Sequence, residues 1–342
     1  MTTAAPKRHP RDVLFEEGDP AVALPVCDHY AGVEARMRKS LALQGELGPV
    51  FDVTLDGEDG AEVGAEVEQA HLIAELVQAR ENRFDRVGAR IVPYGHPRFH
   101  DMLQVLVRAA GSRLAYLMIP KVLDAAEFDE AARAVDRVAH EAGLARAIPL
   151  HALVETHGAL REVQQLAAHP RVESLSFGLM DFVSAHRGAI PQSAMAVEGQ
   201  FSHPLVVRAK LEIAAACHAR AKTPSHCVVT EFKDTRALQL AADRACREFG
   251  YTRMWSIHPD QVRVIVDAFA PTAAEVDLAV EIIHAAEAAD WGPIKHRQGG
   301  REHLHDRASY RYFWQVVERA QRTSVEGHSQ LPAEARVRWF GL

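Results

Sequence analysis

Pro149-Leu150-His151-Ala152-Leu153-Val154-Glu155-Thr156-His157-Gly158 and, one helix length further on, Val172-Glu173-Ser174-Leu175-Ser176-Phe177-Gly178-Leu179-Met180-Asp181 decide how this chain is read. Each stretch is a short apolar run closed by a carboxylate, Glu155 in the first and Asp181 in the second. Their separation, 26 residues, suits one strand plus one crossover helix, so two adjacent parallel strands would present both acids at the same ends. Two carboxylates converging there would seat Mg²⁺, a hard cation that takes oxygen ligands and keeps positions open for substrate.

Outward from this pair, short β-like runs alternate with amphipathic segments along the whole chain. The strand candidates are 13–15, 51–55, 90–92, 115–119, 149–154, 172–177, 227–230 and 253–257. Helical patterns lie between them, among them 32–47, 66–81, 125–142, 204–221 and 235–249. Eight strands alternating with helices predict an α/β fold with a parallel sheet closed into a (β/α)₈ (TIM) barrel. A doubly wound open sheet is the alternative, but no Gly-x-Gly-x-x-Gly follows the first strand. Helical patterns at 260–268 and 272–289 would complete the barrel, giving a domain of residues 1–290. Residues 291–342, polar over 292–307 and helical over 310–320, then read as a C-terminal helical arm, a lid or a subunit contact.

Composition sets the limits. The chain has 342 residues, 48% hydrophobic and 25% charged, with a net charge of −7, the profile of a globular protein with a full core. No Lys/Arg-rich run suggests a nucleic-acid partner, and no window of about 18 apolar residues suggests a membrane span. The first ten residues lack an apolar signal core, so the expected location is cytoplasmic. Cys27, Cys217, Cys227 and Cys246 show no zinc spacing and read as reduced thiols.

In parallel barrels the active site gathers at the C-terminal ends of the strands. Here those ends carry Glu16/Glu17, Asp56/Glu58/Asp59, Arg90, Lys121, Glu155, Asp181, Glu231/Asp234 and His258. Each also has a plain structural account: Glu155 could pair with Lys121, Asp181 could cap a helix, and Arg90 could form a buried salt bridge to Asp56 or Glu58. Lys121 has the same two readings, and His258 before Pro259 fits a helix entry satisfied by backbone. Gly178 would let backbone approach a ligand. The ordered recurrence of charge at strand ends favours function. No Gly-x-Ser-x-Gly occurs, and no cysteine has an evident histidine partner.

Several segments together resemble the HpcH/HpaI aldolase and citrate lyase β-subunit family, which includes malyl-CoA-type lyases. Arg11-Asp12-Val13-Leu14-Phe15 is similar to its opening strand and Leu55-Asp56-Gly57-Glu58-Asp59 to its Leu-Asp-Leu-Glu-Asp signature. Arg90-Ile91-Val92-Pro93, Ile119-Pro120-Lys121-Val122, Val154-Glu155-Thr156 and Gly178-Leu179-Met180-Asp181 resemble its next four motifs. Ser256-Ile257-His258-Pro259-Asp260-Gln261 is similar to its closing Ile-His-Pro-x-Gln element.

The resemblance implies Mg²⁺ held by Glu155 and Asp181, Arg90 on substrate oxygens as a catalytic and binding group, and Lys121 and Gly178 lining the substrate. It implies a Mg²⁺-dependent carbon–carbon lyase that cleaves or forms a 3-hydroxy acyl-CoA of malyl, citramalyl or citryl type through an enolate. The expected partners are a small 2-oxo acid, an acyl-CoA and further copies of the chain in a homo-oligomer. In malyl-CoA-type relatives the base is an Asp on a neighbour's C-terminal arm, and Asp306 is the candidate here. Two departures stand out. Glu16-Glu17-Gly18-Asp19 replaces the family's Pro-Gly loop, which would repel a polyphosphate, and Val92 replaces an Asn. Two alternatives therefore stay open: a CoA-independent 2-oxo-acid aldolase, and a non-catalytic partner subunit of a larger lyase complex.

Overall fold

The computed structural model describes residues 8–15, 24–325 and 327–342. Its contacts divide the chain into two compact units, Val22–Phe269 and a unit formed by Met1–Ala21 with Ala270–Leu342.

The first unit is a closed barrel of eight parallel strands in sequential order. The strands are β1 Cys27–Ala31, β2 Phe51–Asp56, β3 Val87–Arg90, β4 Leu117–Ile119, β5 Leu150–Val154, β6 Val172–Phe177, β7 Thr223–His226 and β8 Arg253–Ser256. β1 pairs with β8 to close the ring. The predicted barrel is therefore correct, but two of its strands were misplaced, and the one expected at 90–92 lies three residues earlier, sharing only Arg90 with β3.

Residues 13–15 are not a strand. They end the helix Pro10–Leu14, where His9 caps the first turn and Pro10 occupies its start. Pro10, Val13 and Leu14 are buried at i, i+3 and i+4, and an apolar run this short fits either period. The true first strand, Cys-Asp-His-Tyr-Ala, escaped notice because Asp28 and His29 make it look polar although all five residues are buried. Likewise residues 227–230 follow β7 rather than form it. β7 reads Thr-Pro-Ser-His, and Pro224, which cannot donate to a ladder, still accepts from Thr252 N through its carbonyl.

Residues of one parity point into the barrel and stack in layers. The lowest is charged: Arg253 Nη1 donates to Asp52 Oδ2 at 2.5 Å, Arg253 Nη2 lies 3.1 Å from Asp28 Oδ2, and Asp28 Oδ1 accepts from Thr54 and Tyr116. Above it Tyr30, Met118, Leu153 and Trp255 form an apolar layer, with the Tyr30 and Trp255 rings stacked 4.4 Å apart. Asp56 ends β2 two residues after the inward-facing Thr54, Arg90 ends β3, and Glu155 follows β5 two residues after Leu153, so the pleat delivers three charged side chains to the mouth.

The second unit packs helix Pro10–Leu14 with helices Ala273–Ala288, Arg307–Arg322 and Ala333–Phe340 around Leu14, Ile282, Ile283, Trp314, Val317 and Trp339. Residues 292–307, read from sequence only as polar, hold a hairpin of β9 Ile294–Gln298 and β10 Arg301–His305. Its two-residue turn is Gly299-Gly300, both at positive φ, as a type I′ turn demands. No helix among the described residues is long and apolar enough to cross a membrane.

Candidate active site

The mouth of the barrel is organised first by Asp56 at the end of β2. Its carboxylate accepts from Arg90 Nε at 2.8 Å and Arg90 Nη2 at 2.6 Å, and from the backbone N–H groups of Glu58 and Gly60. Such a bidentate pair fixes the guanidinium plane. A Cβ on Gly60 would meet Asp56 Oδ2 at 2.5 Å, so the loop can wrap the carboxylate only because that position is bare. Arg90 Nη1 lies 2.8 Å from Glu58 Oε2. Burial disfavours the Arg90 cation, but Asp56 and Glu58 outweigh it and push the pKa above its ordinary value.

Lys121, just after β4, serves the site through both main chain and side chain. Its φ of +49° is in the left-handed region that non-glycine residues seldom occupy. Its N–H donates to Glu155 Oε1 at 2.6 Å, while its Nζ lies 2.7 Å from Glu58 Oε1, 3.1 Å from Asp59 Oδ1 and 4.0 Å from Asp181 Oδ1. One residue thus touches both carboxylates on which the sequence reading turned.

Glu155 is 3% exposed, and its hydrogen-bond donor there is an uncharged peptide N–H. Burial, with the Asp181 charge adding to it and the Lys121 N–H opposing, raises its pKa from the usual carboxylate range to about 8. Gly178, at the end of β6, is the space into which Glu155 fits: a Cβ there would sit 2.0 Å from Glu155 Oε2. Gly178→Ala is therefore expected to push Glu155 aside at a stability cost of about 1–3 kcal/mol, measured by chemical denaturation. Asp181 lies in the first turn of helix Leu179–Ser184, whose N-cap is Gly178, so the capping account of Asp181 fails. Its side chain is 43% exposed.

The barrel thus brings Asp56, Glu58, Asp59, Arg90, Lys121, Gly178, Glu155 and Asp181 to one mouth. The salt-bridge account of Arg90 holds for both Asp56 and Glu58. His258 takes the helix-entry role, its Nδ1 accepting from Asp260 N at 3.3 Å. Asp234 caps helix Thr235–Arg247. Asp306 belongs to the other unit and caps helix Arg307–Arg322, its carboxylate accepting from Ala308 N and Ser309 N. Glu16, Glu17 and the acidic loop through Asp19 lie outside the described residues. The chain leaving β1 reads Gly32-Val33-Glu34, and the repulsion argued from the acidic loop does not attach to it.

Sequence reasoning missed the cleft beside β1 and β8. About 440 Å³ in volume, it is lined by His29, Tyr30, Arg36, Lys39, Phe232 and His258 among others. Arg36 and Lys39 stand one turn apart on helix Glu34–Leu47, and the Phe232 and His258 rings stack 5.2 Å apart. The signal was present in Tyr30-Ala31-Gly32 and the Arg-x-x-Lys that follows, but it depended on locating β1.

Among the described residues no group of three or more His, Cys, Asp or Glu side chains converges as a metal cage. Mg²⁺ is commonly held by one or two carboxylates with water and substrate oxygens completing its shell. Glu155 and Asp181 fit that pattern, since a buried carboxylate facing another is costly without a cation.

Residues 49–259 match the family model for HpcH/HpaI aldolase/citrate lyase. An L-malyl-CoA/β-methylmalyl-CoA lyase of Cereibacter sphaeroides is 28% identical over 247 residues, covering 69% of this chain and 77% of that one. A crystal structure of a citrate lyase from Burkholderia xenovorans LB400 is 51% identical, with a TM-score of 0.82 over 98% of this chain and 99% of that one. The protein CitE of Mycobacterium tuberculosis, solved with magnesium, acetoacetate and coenzyme A, shares the fold at 20% identity and a TM-score of 0.66 over 88% of this chain and all of that one. Strand order, mouth residues and these likenesses agree: the chain belongs to the HpcH/HpaI aldolase/citrate lyase family and is a carbon–carbon lyase.

Proposed function

We propose that the protein is a Mg²⁺-dependent lyase that cleaves or forms a 3-hydroxy acyl-CoA of malyl or citramalyl type, with Glu155 and Asp181 holding the metal. The observation that carries this reading is how charge is distributed at the mouth. Asp56 and Glu58 are neutralised by Arg90, and Glu58 and Asp59 by Lys121, at 2.6–3.1 Å. Among the described residues Glu155 accepts from a peptide N–H, that of Lys121, and Asp181 stands 4.0 Å from the Lys121 ammonium, so a pair of carboxylates remains for a divalent cation.

Bound Mg²⁺ would supply Lewis-acid polarisation to the oxygens of a 2-oxo or hydroxy acid. Arg90 would bind and stabilise charge on oxygen. Asp56 accepts from two of its five N–H groups, and Glu58 stands 2.8 Å from Nη1 as an ion pair, which leaves donors for a substrate carboxylate or enolate oxygen. The stack of Tyr30 on Trp255 closes the floor beneath Arg90 and excludes water from that side. Cleavage needs a base for the hydroxyl proton and an acid for the enolate carbon. A CoA diphosphate would find Arg36 and Lys39 in the neighbouring cleft, which favours the thioester over a free 2-oxo acid. The test is incubation with Mg²⁺, glyoxylate or pyruvate, and a panel of acyl-CoAs. Condensation only with CoA donors, abolished by chelation, is expected. Turnover of free 2-oxo acids alone would replace this reading with the aldolase, and inactivity with every donor would favour a partner subunit.

The proton-transfer role of Asp306, on an arm of residues 291–342 reaching the site of a neighbouring copy, is part of the same proposal. Asp306→Asn separates base from cap, because Asn caps a helix as well as Asp. Turnover is expected to fall about 10²–10⁴-fold with an unchanged melting curve. Unchanged turnover would leave Asp306 a cap alone, and light scattering tests the oligomer.

A further inference from the structure

We propose that Lys121 is a positioning residue that sorts the carboxylates of the mouth, neutralising Glu58 and Asp59 so that only Glu155 and Asp181 remain for the cation. The inference rests on the metal reading above and extends it from where the metal sits to why it is Mg²⁺.

The backbone of Lys121 carries the argument. At φ +49° a residue with a side chain is held in a conformation it would not choose, and such strain persists where the surroundings over-determine it. Here the N–H is held by Glu155 Oε1 at 2.6 Å, and the ammonium at the other end by Glu58 Oε1 at 2.7 Å and Asp59 Oδ1 at 3.1 Å. The left-handed turn lets one residue give a neutral donor to Glu155 and a full charge to Glu58 and Asp59. With the roles reversed, Glu155 would be neutralised and the cation would be drawn to the loop after β2.

The consequence concerns selectivity. Ca²⁺ takes six to eight oxygen ligands in flexible geometry, whereas Mg²⁺ prefers few carboxylates and several waters. With the ammonium removed, Glu58 keeps only Arg90, on Oε2, and Asp59 keeps only a 3.9 Å approach to Arg90. Both carboxylates then become available beside Asp181, which favours the larger ion.

The test is calorimetric titration of Mg²⁺ and Ca²⁺ into the full-length parent, Lys121→Met and Lys121→Arg, without substrate. The parent should prefer Mg²⁺. Lys121→Met should bind Ca²⁺ at least about tenfold tighter than the parent does, with the Ca²⁺-to-Mg²⁺ preference shifted by a similar factor. Lys121→Arg, which keeps the charge, should retain the parent's preference. A folded Lys121→Met with the parent's preference overturns the sorting role and leaves the metal reading intact. A parent that binds neither cation ends both. Should Lys121→Met fail to fold, Lys121→Gln removes the same charge and is read the same way.

Discussion

Glu155→Gln is expected to abolish measurable Mg²⁺ binding and to lower kcat/KM by at least about 10²–10³-fold, while making the metal-free protein more stable at alkaline pH. The two halves of the prediction pull in opposite directions because the carboxylate is out of place without its cation. Burial first, and then the Asp181 charge, raise the Glu155 pKa to about 8 against an ordinary 4.5. A folded-state pKa above the unfolded one means that the native state binds the proton more tightly. Its contribution to stability is complete below about 4.5 and is lost as pH rises through about 8. Chemical denaturation of the metal-free parent should therefore show stability declining across that window, and Glu155→Gln should flatten the decline. In the parent, Mg²⁺ must displace the proton, so its apparent affinity should rise with pH over the same window. If the pH dependence of stability is the same in parent and variant, Glu155 is not the uncompensated carboxylate described here.

The parts of this site that were legible in sequence share one physical property: they interrupt apolar strands. Glu155 and Asp181 close runs that must be buried on both faces in a parallel barrel, so a charge at their end has to be explained. Arg90 follows the same logic, and its salt-bridge reading holds, since Asp56 and Glu58 both lie against the guanidinium and fix its plane. What could not be read was any strand whose buried face is polar. β1 hides Asp28 inside the barrel because Arg253 of β8, Thr54 of β2 and Tyr116, just before β4, come from elsewhere in the chain to meet it, and no local pattern announces partners so distant. The cleft beside β1 was lost with it. The opposite error came from Val13 and Leu14, which are buried on a helix rather than in a sheet, Leu14 in the cluster that holds Trp314. The division of labour at Lys121, with its backbone on Glu155 and its ammonium on Glu58 and Asp59, depends on a left-handed φ that the sequence does not encode as a pattern.

Arg253→Met should be the most destabilising single change in the barrel, by about 3–5 kcal/mol in chemical denaturation. The methionine fills the space, so the cost is electrostatic. Arg253 is fully buried and bridges Asp52 of β2 to Asp28 of β1, also donating to Pro25 O at 3.0 Å. The two acids would not suffer equally. Asp52 keeps Arg86, whose Nε and Nη2 donate to it at 2.7 and 3.0 Å. Asp28 keeps only the neutral hydroxyls of Thr54 and Tyr116, at 2.6 and 3.0 Å. Removing one member of a buried pair hurts chiefly by leaving the other charge uncompensated. Asp28→Asn added to Arg253→Met should therefore recover a substantial part of the loss, whereas Asp52→Asn added to it should recover little and leave Arg86 unpaired. Equal recovery from the two would mean that shared packing, not a stranded charge, sets the stability of the floor. The same layer lies beneath the Tyr30–Trp255 stack on which Arg90 rests. A variant that survives with its floor loosened should accordingly lose turnover along with stability, even though no residue of that floor reaches the mouth.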